Sequence, residues 1–133
     1  GEHQEGNTWE AILLEPKYKL GNLTVVIDYN NIQIDGFVDD IVPLEVMAYK
    51  YQSFNWHVIE IDGHNMKSFI DACREAAAVY DKPSVIIAHT IPGQGVTFMD
   101  KDFTWHGKPP NKEEADKALK ELRTLQGKIE SEY

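Results

Sequence analysis

Val25-Val26-Ile27 is continuously apolar and turns polar at Asp28, the pattern of a strand covered on both faces of a parallel sheet. Ser84-Val85-Ile86-Ile87-Ala88-His89 repeats that character, whereas Trp56-His57-Val58-Ile59-Glu60-Ile61 alternates with period two. Strands are therefore predicted from Leu23 to Asp28, Trp56 to Ile61 and Ser84 to His89. Ile32-Gln33-Ile34 alternates like a short strand ahead of an Asp35-Gly36 turn.

Between these runs the spacing becomes helical. A first helix is predicted from Asn7 or Thr8, capped by one of them, with Trp9, Ile12, Leu13 and Leu20 as its apolar positions. Pro16 falls inside it and should kink or break it, at about 3 kcal/mol in a regular interior. Gly21-Asn22 supplies a stop. Pro43 opens a second helix through Leu44, Met47, Ala48 and Tyr51 to about Asn55. A third runs from about Met66 to Tyr80, with Met66, Phe69, Ile70, Cys73, Ala76 and Ala77 as apolar positions at helical spacing. The charged segment 111–133 reads as a surface helix with Leu119, Leu122 and Leu125 on one stripe.

Helices alternating with strands imply an α/β domain with right-handed crossovers and a mostly parallel sheet flanked by helices. Three strands make a small sheet. Gly1-Glu2-His3-Gln4-Glu5-Gly6 looks like a loop rather than a domain start, so an N-terminal part is expected to precede it.

Composition narrows the function. The 133 residues carry 13 Lys+Arg against 22 Asp+Glu, a formal net charge of -9. That balance argues against nucleic acid as a partner, which needs a basic patch. It leaves room for a phosphate ligand neutralised by a divalent cation. The single cysteine, Cys73, is expected to be a small buried hydrophobe; no disulfide framework is available, and a cytoplasmic setting is expected. No apolar run is long enough to span a membrane.

In open α/β sheets ligands bind beyond the carboxyl ends of the strands. Asn30, Asn31 and the loop through Ile32 sit there, and an amide oxygen with backbone carbonyls suits Mg²⁺ carrying phosphates. The plain alternative is that Asn follows a strand because it tolerates turns. His64, the stretch His89 to Gly95, and Trp105-His106-Gly107-Lys108-Pro109-Pro110 are expected at the same edge. His64 reads mainly as a turn residue, His89 as a core histidine or a ligand, and His57 as solvent-facing or half-buried. His3 lies in a context too exposed to assign. Gly93-Gln94-Gly95 is a weak phosphate-loop signal, because no helix starts there. Glu2, Glu5 and Glu10 read first as helix N-terminal acids complementing the macrodipole.

Taken together, Gly1 to Gly6, Trp9-Glu10-Ala11, Tyr18-Lys19-Leu20, Asp28-Tyr29-Asn30-Asn31-Ile32-Gln33-Ile34-Asp35-Gly36, Val58 to His64 and Trp105-His106-Gly107-Lys108-Pro109 resemble transketolase, over essentially the whole chain. The match is to the latter part of the diphosphate-binding section, so that 1–133 is one partial thiamine diphosphate-binding domain, closed by the charged helix at 111–133. The family motif Gly-Asp-Gly, then about two dozen residues, then Asn places its last glycine at Gly1 and its asparagine at Asn30.

The resemblance implies thiamine diphosphate and Mg²⁺ (or Ca²⁺) as cofactors. It makes Asn30, through its side-chain oxygen, and Ile32, through its carbonyl, the metal ligands. Gly1 would give an amide to the diphosphate, Ile34 would pack near the thiazolium, and His106 would contact diphosphate and border the donor channel. His106 and Glu5 are the implied catalytic pair, with Glu5 and Glu10 at a dimer interface. The implied reaction moves a two-carbon ketol unit from a ketose phosphate to an aldose phosphate.

The implied partner is a pyrimidine-binding transketolase subunit or domain, in a dimer or heterotetramer, as in a split enzyme. The motif's metal aspartate would precede Gly1, so the chain alone is expected to be inactive. Glu15-Pro16 departs from the family pattern, which is small and apolar there. Two alternatives stay open: a related enzyme acting on another sugar, and a non-catalytic interaction module that keeps the fold.

Overall fold

The computed structural model describes residues 1–124. Its order is α1 (Gly6–Leu14), β1 (Thr24–Tyr29), β2 (Ile32–Gln33), β3 (Gly36–Phe37), α2 (Val38–Ile41), α3 (Met47–Ser53), β4 (His57–Asp62), α4 (Met66–Ala78), β5 (Ser84–His89) and α5 (Lys112–Thr124). Short 3₁₀ turns lie at Glu2–Gln4, Glu15–Tyr18 and Phe103–Trp105. The predicted α/β architecture is present: β1, β5 and β4 form a parallel sheet in the order β1-β5-β4, with β5 central. Asp28 is level with Ala88, and Tyr29, His89 and Asp62 end the ladder together.

One face of the sheet is closed by α1 and α3. Ile12, Ile27, Tyr51, Trp56, Val85 and Ile87 meet there in a buried cluster. On the other face α4 covers Ile59 and Ile86 with Ala72 and Ala76. Val26 shares that face in register with Ile86, yet it is 48% exposed. Among the described residues β1 is therefore covered on one face only, because α4 lies over β4 and β5.

Pro16 ends α1 rather than kinking it. The carbonyl of Ile12 would normally accept from the amide four residues on, which proline lacks. The buried indole N–H of Trp56 donates to that carbonyl at 2.9 Å instead. The chain tightens into the 3₁₀ turn, where Pro16 occupies a first-turn position that needs no amide hydrogen. Trp56 is thus a core residue preceding β4, not the first residue of a strand.

Several local expectations are corrected. α1 is preceded by Glu5 and has no side-chain cap; Thr8 donates to the carbonyl of Glu2 instead of capping from Asn7 or Thr8. Leu13 is 60% exposed and Leu20 lies beyond the helix, so Ile12 with half-buried Trp9 makes the inner face. The left-handed residue after the 3₁₀ turn is Lys19, while Gly21 lies so close to the Tyr80 carbonyl that a Cβ would sit 2.2 Å from it. Pro43 does not open a helix: α3 starts at Met47, and the short α2 has no counterpart among the predicted elements.

In α4 the inward positions are Ala72 and Ala76. Met66, Ile70, Cys73 and Ala77 are exposed, so Cys73 is not a buried hydrophobe. The two small alanines let the helix approach the sheet closely and rotate the larger side chains outward. In α5 Ala118 is buried and Leu119 and Leu122 are partly exposed; Leu125 and the rest of the predicted 111–133 helix lie outside the described residues.

Trp56→Phe should cost about 1–3 kcal/mol in urea unfolding, because it strands the Ile12 carbonyl. Adding Pro16→Ala, which restores an amide at the helical position, should recover part of that loss. A double variant no more stable than Trp56→Phe alone would contradict this account of Pro16.

Candidate functional site

The site begins where β1 runs out of ladder. The amide of Thr90 donates to the Tyr29 carbonyl at 3.3 Å, beyond the last paired residues of β1 and β5. Asn31 then takes a positive φ of 59°, a conformation asparagine tolerates better than most residues. Its carbonyl accepts from the Val38 amide at 2.9 Å, closing a hairpin in which Ile32 pairs with Phe37 and Gln33 with Gly36. Ile34, predicted to be in a strand with Ile32, is in the turn and is 75% exposed.

The opposite wall comes from the loop after β5. Gly93 has φ +76°, and a Cβ there would lie 2.3 Å from the Met99 carbonyl; the glycine allows the loop to fold on itself. That explains Gly93 without a phosphate. The ring of Phe103 meets Phe37 edge-on at 5.6 Å, tying this loop to the hairpin. The indole of Trp105 donates to the Phe98 carbonyl at 3.0 Å, and the His106 amide donates to Phe103 at 2.9 Å. His106 is thereby set across from Asn30.

Gly1, Asp28, Asn30, Ile32 and His106 line one cavity of about 280 Å³. Asn30, Ile32 and His106 also border a larger apolar cleft of about 590 Å³ between the loop and α5. Asn30 is held from both ends: its Nδ2 donates to Asp28 at 2.9 Å, and its Oδ1 accepts from the Ile32 amide at 3.1 Å. A Cβ on Gly1 would meet nothing closer than Gln33 at 3.7 Å, so the chain itself leaves room for a side chain there.

The electrostatics of the smaller cavity are unusual for an anion site. Among the described residues lining it are Glu2 and Asp28, and no lysine or arginine. His3 also lines it, but burial holds its imidazole below the ordinary value of 6.5, so it is neutral at pH 7. Its Nε2 is hydrogen-bonded to the Tyr51 hydroxyl at 2.7 Å. His3 is therefore half-buried and anchored, not exposed. Among the described residues no group of three His, Cys, Asp or Glu side chains could hold a metal by itself.

The other predicted residues fall outside this cavity. The ring of His64 accepts from the Ile91 amide at 2.7 Å and fixes the start of the loop. His89 packs edge-on against Tyr29 at 5.2 Å and reaches Glu60 at 3.0 Å; His57 is half-buried beside Glu75 at 2.9 Å. Glu5 and Glu10 are exposed near and on α1, with no place in the lining. Asp28, His3 and Thr90 carry no role in the sequence pattern, although Asp28 was legible as the acid two positions before Asn30.

A family model described as the transketolase thiamine diphosphate binding domain matches residues 1–127. The chain belongs to this family. It is 35% identical to one subunit of the apulose-4-phosphate transketolase from Phocaeicola vulgatus, over 99% of this chain and 47% of that protein. It is 38% identical to a 6-deoxy-6-sulfo-D-fructose transketolase subunit from a Clostridium species, over 92% of this chain and 44% of that protein. The chain thus spans just under half of these relatives. A solved transketolase from Campylobacter jejuni superposes with a TM-score of 0.85 at 30% identity, covering 92% of this chain and 19% of that one. The fold is that of the transketolase N-terminal domain. Among the described residues no helix is long and apolar enough to cross a membrane.

The depressed pKa of His3 gives a signed expectation. A histidine harder to protonate when folded subtracts stability as pH falls through its unfolded value toward the folded one. As pH falls below the ordinary histidine value of 6.5, the chain should therefore lose stability from this group. His3→Leu should remove that increment in denaturant titrations at each pH; an unchanged pH slope would contradict it.

Proposed function

We propose that this transketolase-family chain is part of the diphosphate-binding subunit of a split transketolase. It would move a two-carbon ketol unit from a ketose phosphate to an aldose phosphate, with thiamine diphosphate and Mg²⁺ (or Ca²⁺) as cofactors. The observation carrying this reading is that Gly1, the Asn30–Ile32 loop and His106, far apart in sequence, line one cavity with no lysine or arginine among its described lining residues. A diphosphate beside Glu2 and Asp28 needs a divalent cation to offset both sets of negative charge. Hard oxygen ligands are what such a cation takes, and Asn30 with the Ile32 carbonyl supply them.

The residues fit the group by their donor chemistry. The Oδ1 of Asn30 uses one lone pair on the Ile32 amide and retains another. Gly1, which carries no side chain to stand in the way, would let a phosphate approach its amide. His106, on the opposite wall, would contact the diphosphate and border the path of the donor sugar. Ile34 offers an exposed apolar surface against which a thiazolium ring can pack. The cofactor, when bound, supplies the carbanion chemistry that cleaves and remakes the carbon–carbon bond. The protein's part is to hold its diphosphate, orient it and shield it from water.

The reading includes a partner carrying the pyrimidine-binding domain, in a dimer or heterotetramer, with Glu5 and Glu10 at a dimer contact. Their exposure near and on α1 leaves them available for it. Glu5 would serve catalysis from that contact, since it does not line the cavity. A cytoplasmic location belongs to the same reading. Two relatives are named for apulose-4-phosphate and for 6-deoxy-6-sulfo-D-fructose, and a sugar of either kind suits this proposal.

Asn30→Ala in the assembled enzyme should raise the Mg²⁺ concentration needed for half-maximal ketol transfer at least about tenfold, as loss of an oxygen ligand requires. His106→Ala should lower kcat/KM for the donor sugar while leaving that Mg²⁺ requirement within about twofold, because it touches no cation in this arrangement. An unchanged Mg²⁺ requirement in Asn30→Ala would overturn the assignment of the metal site.

A further inference from the structure

An amide side chain has two ends of nearly equal size, and only one can donate electrons to a cation. Which end of Asn30 faces the cavity is decided by its neighbours. Its Nδ2 donates to Oδ2 of Asp28 at 2.9 Å. An ionised carboxylate only accepts hydrogen bonds, so it takes the NH₂ end and refuses the oxygen. The other oxygen of Asp28 accepts from the hydroxyl of Thr90, which fixes the carboxylate's own rotation. On the far side the Ile32 amide donates to Asn30 Oδ1 at 3.1 Å, and that donor would repel the NH₂ end.

We propose that Asp28 is a positioning residue that, with Thr90, locks the Asn30 amide with its oxygen toward the divalent cation. This rests on the reading that Asn30 is a metal ligand. Asp28 itself is set by the sheet: it is level with Ala88 on β5, two residues before Thr90. The ladder thereby delivers the carboxylate and the hydroxyl to each other from two strands, and the turn at Asn31 brings the Ile32 amide back to the same side chain. Three separate backbone segments converge to set one rotation. Without Asp28 the amide can turn about its last torsion and offer two N–H groups to the cation, which then lacks a ligand.

The substitution Asp28→Asn separates this role from mere packing. It keeps the shape but has one accepting oxygen for two donors, Thr90 Oγ1 and Asn30 Nδ2. In the assembled protein, thiamine diphosphate binding would be followed by calorimetry across a series of Mg²⁺ concentrations, for Asp28→Asn, Asn30→Ala and the double variant. Asp28→Asn should raise the Mg²⁺ concentration for half-saturation about 10–100-fold, the usual effect of losing a residue that orients a metal ligand. At saturating Mg²⁺ its cofactor affinity should return to within about twofold of the unsubstituted protein, which general loosening of the site would not allow. The double variant should be no worse than Asn30→Ala, because Asp28 acts through Asn30.

An unchanged Mg²⁺ requirement in Asp28→Asn beside an impaired Asn30→Ala overturns the proposal and leaves the metal reading standing. An unchanged Asn30→Ala overturns both. Multiplied effects in the double variant overturn the positioning role, because Asp28 then acts on its own. Should Asp28→Asn fail to fold, Thr90→Val removes only the hydroxyl that steadies the carboxylate. It should raise the Mg²⁺ requirement about 2–10-fold, a weaker form of the same effect, and no rise overturns the proposal.

Discussion

The parallel ladder of β1, β5 and β4 ends at one level, and that alignment is what the rest of the site depends on. Tyr29, His89 and Asp62 are its last paired residues. Every chain segment that follows a strand must leave from the same edge, so groups distant in sequence are released side by side. The buried apolar rows on the two faces fix the register, since a one-residue slip would move every side chain to the opposite face of the sheet. Burial therefore sets the position of Asn30 long before any ligand does.

What that edge can bind follows from the charges left there. Glu2 and Asp28 face the smaller cavity, and no lysine or arginine lies in its described lining. A lone anion would be repelled, whereas on the proposed reading a divalent cation would meet the Asn30 amide oxygen with a carboxylate close behind it. A phosphorylated cofactor would then be accepted together with that cation. The charge of -9 over the whole chain points the same way, against polyanions that arrive without metal.

Much of this was legible in the sequence. The apolar run at 84–89 is a buried strand as predicted, because a strand covered on both faces leaves an unbroken signal. The similar run at β1 misled in one respect: Val26 is exposed, since periodicity reports what a strand can bury rather than what covers it here. The α4 stripe misled for a related reason, as two alanines outcompeted larger residues for the close contact. Pro16 was opaque because its explanation, the indole of Trp56 on the Ile12 carbonyl, joins residues that only the fold brings together. At the candidate site, Asn30 and His106 were singled out through a motif, whereas the Asp28–Thr90 pairing crosses two strands and leaves no local spacing to read.

The most direct test of the account is calorimetric titration of the assembled, unsubstituted protein with thiamine diphosphate, once with Mg²⁺ and once with the divalent cations removed by a chelator. Saturable binding is expected with Mg²⁺, and its loss, by a factor of at least about a hundred in affinity, without it, since no lysine or arginine in the described lining offsets the negative charge. Equal affinity in both titrations would mean that the diphosphate is held by groups other than Asn30 and its cation, and would contradict the site as described.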